Sequence, residues 1–425
     1  MKNFVANLLM YSVAMSSVVL TASCGRTTAG NDVAGIVDVG NAIGNLSDVT
    51  TSCLGKSIRF VPLEMSDSSL VADNWTLFAT DDRVVMANTG SLSYVGMNAD
   101  VLVFGLDDGR FITGLGRPGS GPEDYLLAFP VIDSAGKFAC FGAGNGKGWV
   151  RYGLDGAYDG KILPELETQD NYLACLKDTV AYFMYNDYSV GTRRVLIRRR
   201  GFSGAEIDSL VMFENQAAEP FLLTFDGPVS FNSHNAPFRN TSRNIMEIVS
   251  GDRHLVLPGR TISMVGEEMH YDERMCDTIY RITPDGPVVS LLFDMGPDGF
   301  PFNEVNKRPV KPSELVLTNI LETPALVLFS VARGLPANDN SNTYIGLYDR
   351  SSGTTVMGAG IDGIRDDLGG FMPFNPVSVT PSGKFIGVLT MDAIDEWMDS
   401  HPDAILPEPL RNYNPEGNPV LVIID

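Results

Sequence analysis

Apolar residues come along this chain in short bursts, many alternating with polar ones. Clusters of Asp, Gly, Ser and Pro cut between them. Residues 58–63 alternate and carry Pro62, which suits a strand edge. Similar segments follow at 75–78, 83–86, 101–104, 111–112, 131–132, 137–141 and 149–152. Turn signals separate them: Asp81-Asp82, Asp107-Asp108-Gly109, Ser134-Ala135-Gly136 and Leu154-Asp155-Gly156. A period of two bounded by such residues predicts strands joined by tight turns.

A loose unit recurs over 75–115, 128–163, 172–213, 244–293, 324–358 and 374–424. Each unit reads as a strand, an Asp/Gly turn, a strand ending in an aromatic, another turn and a short outer strand. Units of roughly 40–50 residues are the size of propeller blades, which bury their faces only against one another. The expected fold is all-β: a six-bladed β-propeller of four-stranded antiparallel blades over residues 35–425, with short helical insertions. Residues 311–321, capped by Ser313, and residues 391–400 are predicted as those helices. The apolar run at 418–424 is expected to pair with a strand from 56–64, closing the ring.

The N-terminus reads as an address. Lys2 precedes a mostly apolar stretch, 4–20, broken by Asn7, Ser12, Ser16 and Ser17. It is too short and too interrupted to predict a membrane span. Thr21-Ala22-Ser23-Cys24-Gly25 then reads as a lipoprotein cleavage site, although the usual Leu three places before the Cys is Thr21, with Leu20 one place earlier. This gives a signal peptide at 1–23, a lipid on Cys24 and a tether over 24–34. No acidic run follows Cys24, so a periplasm-facing outer-membrane lipoprotein is expected rather than a surface-exported one.

Charge narrows the partners. The formal net charge is −21. Such a surface repels nucleic acid and anionic headgroups, so no nucleic acid partner is expected and the membrane is reached only through the N-terminal lipid. The one basic concentration, Arg193-Arg194 with Arg198-Arg199-Arg200, reads as a strand-edge feature. Cys53, Cys140, Cys175 and Cys276 match no zinc spacing. Buried free thiols are expected, with a Cys140–Cys175 pair left open.

Four segments carry a resemblance: Leu63-Glu64 with Ser68-Ser69-Leu70; the glycine- and proline-rich run 116–125; Cys276-Asp277-Thr278-Ile279-Tyr280-Arg281-Ile282; and Asn418-Pro419-Val420-Leu421-Val422. Together they resemble the six-bladed β-propeller lipoproteins of Bacteroides-type bacteria, over nearly all of the mature chain. Met65 stands where Thr commonly follows the Glu. The resemblance implies a propeller akin to NHL-repeat proteins and an envelope location, and no established activity.

The candidate chemistry is sparse. The 116–125 loop could hold an anion on its backbone N–H groups, with Arg117, Glu123 and Tyr125 as polar tips; it lacks the ending of a P-loop. Arg365 and Asp366 are further candidate ligand contacts. The four His, at 234, 254, 270 and 401, show no metal-ligand spacing. His270 with Glu267, Glu268, Asp272 and Glu273 reads as a solvated acidic loop. The Asp pairs read as turn residues. No catalytic residue, metal or cofactor is assigned. The expectation is a non-catalytic binding or scaffold module for a glycan, a peptide or a partner protein. The alternative is a propeller-fold lyase or hydrolase. A structural subunit of an outer-membrane complex would instead show a large apolar patch on one face.

Overall fold

The computed structural model describes residues 35–425 apart from 73–74, 89–99, 127, 145–147, 164–170, 188–191, 201–202, 204, 216–229, 235–244, 251–252, 258–261, 274, 306, 336–341 and 361–362. The expected signal peptide, Cys24 and tether lie outside the described residues.

The chain opens with β1 (Gly35–Asp38), a single helical turn α1 (Val39–Ala42) and β2 (Ile58–Pro62). Blade one is β3 (Trp75–Ala79), β4 (Arg83–Asn88), β5 (Val101–Gly105) and β6 (Phe111–Gly114). Blade two is β7 (Val131–Ile132), β8 (Phe138–Gly142), β9 (Trp149–Gly153) and β10 (Tyr158–Leu163). Blade three is β11 (Asn171–Lys177), β12 (Val180–Asp187), β13 (Thr192–Arg200) and β14 (Glu206–Asn215). A separate antiparallel sheet follows: β15 (Ser230–His234), β16 (Ile245–Ser250) and β17 (Arg253–Leu257). Blade four is β18 (Ile262–Val265), β19 (Glu268–Asp272), β20 (Thr278–Thr283) and β21 (Gly286–Asp294). Blade five is β22 (Leu315–Glu322), β23 (Leu326–Arg333), β24 (Thr343–Asp349) and β25 (Thr354–Ala359). Blade six is β26 (Pro376–Val379), β27 (Phe385–Leu389) and β28 (Val420–Ile424), with helix α2 (Met391–Ser400) inserted before β28 and β2 as its outermost strand.

The fold is therefore the expected ring of six four-stranded blades. Strands packed on both faces lose the alternation of buried and exposed positions; every residue of β22, innermost in blade five, and of β28, flanked by β2 and β27 in blade six, is buried. Outer strands alternate. Blades touch their neighbours through turns and inner strands. Ser134 N donates to the Leu176 carbonyl at 2.8 Å, between blades two and three. Ser382 N donates to Asp81 Oδ1 at 2.9 Å, between blades six and one.

Ring closure follows the expectation. β2 pairs antiparallel with β28, from Ile58 opposite Ile424 to Pro62 opposite Val420. Between β1 and β2 the chain forms a strap across three blades. β1 adds to the outer edge of blade four, parallel to β21, with Gly35 opposite Leu291. Asp38 N donates to Thr355 Oγ1 and Ser47 N to the Met357 carbonyl, both on blade five. Thr51 N then reaches the Arg365 carbonyl on the crossing to blade six.

Two expectations are corrected. Residues 311–321 are not a helix: 315–322 is the innermost strand of blade five, because neighbours cover both of its faces. Ser313 caps nothing there; its carbonyl accepts from Arg333 Nη1 at 2.9 Å. The unit expected over 244–293 began too early, since Ile245–Ser250 and Arg253–Leu257 belong to the separate sheet. Helix α2 is present, with Thr390 Oγ1 accepting from Ala393 N at its start.

Candidate functional site

Strand alternation within a blade places all crossings from one blade to the next at the same end of the ring. The crossing from blade one to blade two contains the 116–125 loop. Gly116 has φ +55°, and a Cβ there would lie 2.7 Å from the Tyr152 ring, so glycine is needed twice over. Asp124 knots the loop. Its Oδ2 accepts from Gly121 N at 2.7 Å and its Oδ1 from Arg117 Nε at 3.0 Å. The Arg117 guanidinium holds the Asp124 carboxyl below the usual carboxylate range, and the carboxylate raises the arginine in turn. The Glu123 carbonyl accepts from Tyr152 Oη, and Gly144 N donates to the Asp124 carbonyl at 2.7 Å.

The candidate residues separate in this frame. The Arg117 side chain is 81% exposed. Glu123 is also exposed and offers its carboxylate to solvent, while its carbonyl is taken by Tyr152. Tyr125 is fully buried, its ring stacked on Phe141 at 4.7 Å, and burial pushes its hydroxyl well above the usual range. It is a packing residue of the loop, not a tip. Arg365 and Asp366 lie on a different crossing, from blade five to blade six. Arg365 is exposed and pairs with Asp48 of the strap at 3.1 Å. Asp366 is buried, and its carboxylate accepts from Leu368 N, Gly369 N, Phe371 N and Thr51 Oγ1. Arg117 pairs instead with Asp124 on its own crossing.

Sequence reasoning missed two exposed apolar residues on the crossing that carries Arg117. Leu126 is 57% and Phe129 42% exposed, on the same crossing. The preceding crossing, from blade six to blade one, exposes Leu70 and Met65. Asn418 holds that crossing in shape: its Nδ2 donates to the Glu64 and Ser69 carbonyls and its Oδ1 accepts from Val71 N. The available signal was an apolar run, residues 126–129, in a loop otherwise rich in Gly and Pro.

The acidic stretch near His270 is corrected from a solvated loop to a buried seam. His270, Asp272 and Glu273 are all buried, because β19 faces the inner strand of blade five. His270 Nδ1 lies 2.8 Å from Glu322 Oε2, which also accepts from Arg350 Nη2 at 2.5 Å. A carboxylate can only accept, so the ring proton sits on Nδ1. A cavity of about 10 Å³, lined by Asp272, Glu273, Asn319 and Thr318 among others, lies along this seam. That is room for about one water. Met275 beside it has φ +61°. Among the described residues no group of three or more His, Cys, Asp or Glu is placed to hold a metal ion. Cys53, Cys140, Cys175 and Cys276 are free thiols, so Cys140 and Cys175 do not pair; burial pushes the Cys140 thiol up to about 12.

A ring of six blades with its crossings on one face defines the class: a β-propeller. The chain belongs to the domain of unknown function family DUF4934, which matches residues 34–425. Its structure is similar to that of a Bacteroides fragilis protein described as exported, with 15% identity, a TM-score of 0.58 and coverage of 92% of this chain and 99% of that one. It is more distantly similar to the propeller domain of the Trilobed protease from Pyrococcus furiosus, with 10% identity, a TM-score of 0.34 and coverage of 74% and 91%. No curated protein matches the chain.

Proposed function

We propose that this protein is a non-catalytic recognition module of the cell envelope, held there by a lipid on Cys24. Its ligand is a peptide or protein segment carrying a carboxylate next to an apolar side chain. The observation that carries this reading is that one crossing, made rigid by Asp124, exposes Arg117, Leu126 and Phe129 together. A pre-shaped loop loses little freedom on binding, and loops on a rigid scaffold are where binding residues gather. A cation beside apolar area recognises an acidic, apolar-flanked group better than a neutral glycan. The description of the Bacteroides fragilis neighbour as exported supports an envelope location.

The test is a displayed peptide library panned against the protein, with hits measured by calorimetry. Hits rich in Asp or Glu beside large apolar residues, weakened by both Arg117→Glu and Phe129→Ala, support the reading. Hits indifferent to both substitutions sink it, as would turnover of an envelope glycan that survives them.

A further inference from the structure

Two buried polar atoms without a hydrogen-bond partner are neighbours in blade four: His270 Nε2 and Ser263 Oγ. Ser263 on β18 stands directly opposite His270 on β19, so both side chains lie on one face of the blade. His270 is only 2% exposed, so its ring is not served by bulk water. Its Nδ1 proton goes to Glu322 Oε2 at 2.8 Å, so Nε2 carries a bare lone pair. Glu268 Oε2 faces that lone pair across 3.7 Å. An unprotonated ring nitrogen and a carboxylate both accept, and neither satisfies the other. What fits between two acceptors is a proton donor or a cation.

The surroundings hold both acceptors in place. Glu322 fixes the histidine's tautomer and is itself held by Arg350 Nη2 at 2.5 Å. A carboxylate behind a metal-binding histidine orients the ring and raises its basicity. Arg281 Nη1 donates to Glu268 Oε1 at 3.1 Å, which turns Oε2 toward the histidine. Zinc bonds to imidazole nitrogen and carboxylate oxygen are about 2.0–2.2 Å long, so two ligands of a tetrahedral ion stand about 3.4 Å apart. The 3.7 Å gap closes to that distance with a small swing of Glu268. The Glu268 side chain is 54% exposed and opens this point to solvent. Ser263 Oγ and water are the oxygen donors at hand for the remaining positions.

We propose that His270 and Glu268 bind a divalent first-row metal ion of the zinc class. One imidazole nitrogen with one carboxylate favours such an ion over calcium or magnesium, which take oxygen ligands. Two side chains of this kind leave positions open on the ion, unlike the closed four-ligand sites of structural zinc. The β18–β19 turn lies at the end of the ring opposite the crossings, so the site stands apart from Arg117 and from the reading built on it. The pair forms through strand alternation on β19, and its supporting carboxylate comes from 52 residues further along the chain.

The test titrates the full chain with zinc chloride against a chromophoric chelator, with calcium chloride as the comparison. One zinc ion per chain is expected, bound more tightly than calcium. Glu268→Gln should weaken zinc by at least roughly tenfold, since loss of even an outer-shell partner costs about 10–100-fold. Asp403→Asn, at an exposed carboxylate on the blade-six insertion, should leave it unchanged. His270→Gln should abolish binding; if that buried change prevents folding, the exposed Glu268→Gln still decides. X-ray absorption of the zinc-loaded chain should show a nitrogen neighbour at about 2.0 Å. Absent zinc binding would leave a water between the two acceptors and overturn the proposal. So would equal binding by the Glu268→Gln and Asp403→Asn chains, calcium bound as tightly as zinc, or a shell of oxygen alone or with sulfur.

Discussion

Two crossings of the ring are each organised by one aspartate, and they use it differently. Asp124, between blades one and two, binds one backbone N–H and an exposed arginine. Asp366, between blades five and six, is buried and binds three backbone N–H groups and the Thr51 hydroxyl. Its neighbour Asp367 grips Ser52 through both backbone and side chain. The first crossing is knotted on itself and leaves its charged and apolar tips to solvent. The second is knotted to the N-terminal strap and locks β2 into its place. The same turn chemistry thus serves presentation in one place and ring closure in the other.

The largest effect should come from the closure that the second crossing protects. Deleting residues 418–425 removes β28, whose five residues are all buried. At about 1.5–3 kcal/mol per fully buried large apolar side chain, the loss rivals a whole domain's stability of about 5–15 kcal/mol. The expected result is no cooperative thermal transition; an unchanged melting temperature would refute the closure argument.

Next in size is Asp366→Ala. It leaves Gly369 N and Phe371 N without their acceptor, at about 1–3 kcal/mol for each that stays buried and unpaired, while the Thr51 hydroxyl keeps Asp367 and Leu368 N keeps Thr51 Oγ1. A melting temperature lowered by several degrees is expected. Asp124→Ala should lower it less, because water can reach Arg117. Equal losses would erase the distinction between the two crossings.

Acid should act on the second crossing as well. Hydrogen bonds from Ser52 hold Asp367 far below its ordinary value near 3.8. A depressed carboxyl contributes stability that is complete above the unfolded value and lost as pH falls below it toward the folded one. Melting measured from pH 7 down to pH 3 should therefore show a decline concentrated below about pH 4, and Asp367→Asn should flatten it. A decline of the same slope in both proteins would assign the acid sensitivity elsewhere. The smallest stability effect belongs to Arg117→Ala: an unchanged melting temperature with roughly tenfold weaker ligand binding, the behaviour of an interface anchor.

Much of the ring was legible because its blades obey simple patterns. Strands with a period of two and Asp/Gly turns marked blades one, two and three. One repeat could have been read more sharply: Asp133-Ser134-Ala135-Gly136-Lys137-Phe138 matches Thr380-Pro381-Ser382-Gly383-Lys384-Phe385. In both, the first side chain accepts from the backbone N–H of the Lys, and the Gly has positive φ. β22 was misread because Leu315-Val316-Leu317-Thr318-Asn319-Ile320-Leu321 fits a helical stripe as well as a strand covered on both faces; only the neighbouring blades decide. At the candidate site, the loop and Arg117 could be read from glycine and proline spacing. The burial of Tyr125 and the exposure of Leu126 and Phe129 could not, since both depend on which side of the crossing meets β8 and β9.

The pairing of β2 with β28 also sets an order of events. Arg59 and Asp425, joined across that pair by a 3.0 Å hydrogen bond, are 366 residues apart in sequence. Contacts so distant form slowly and late. While the chain emerges from a ribosome or a translocation channel, β2 has no partner in its own blade until β28 has passed through. For that interval an edge strand stands open to pairing with other chains. A cell making this protein therefore has to shield one of its earliest strands until one of its last arrives.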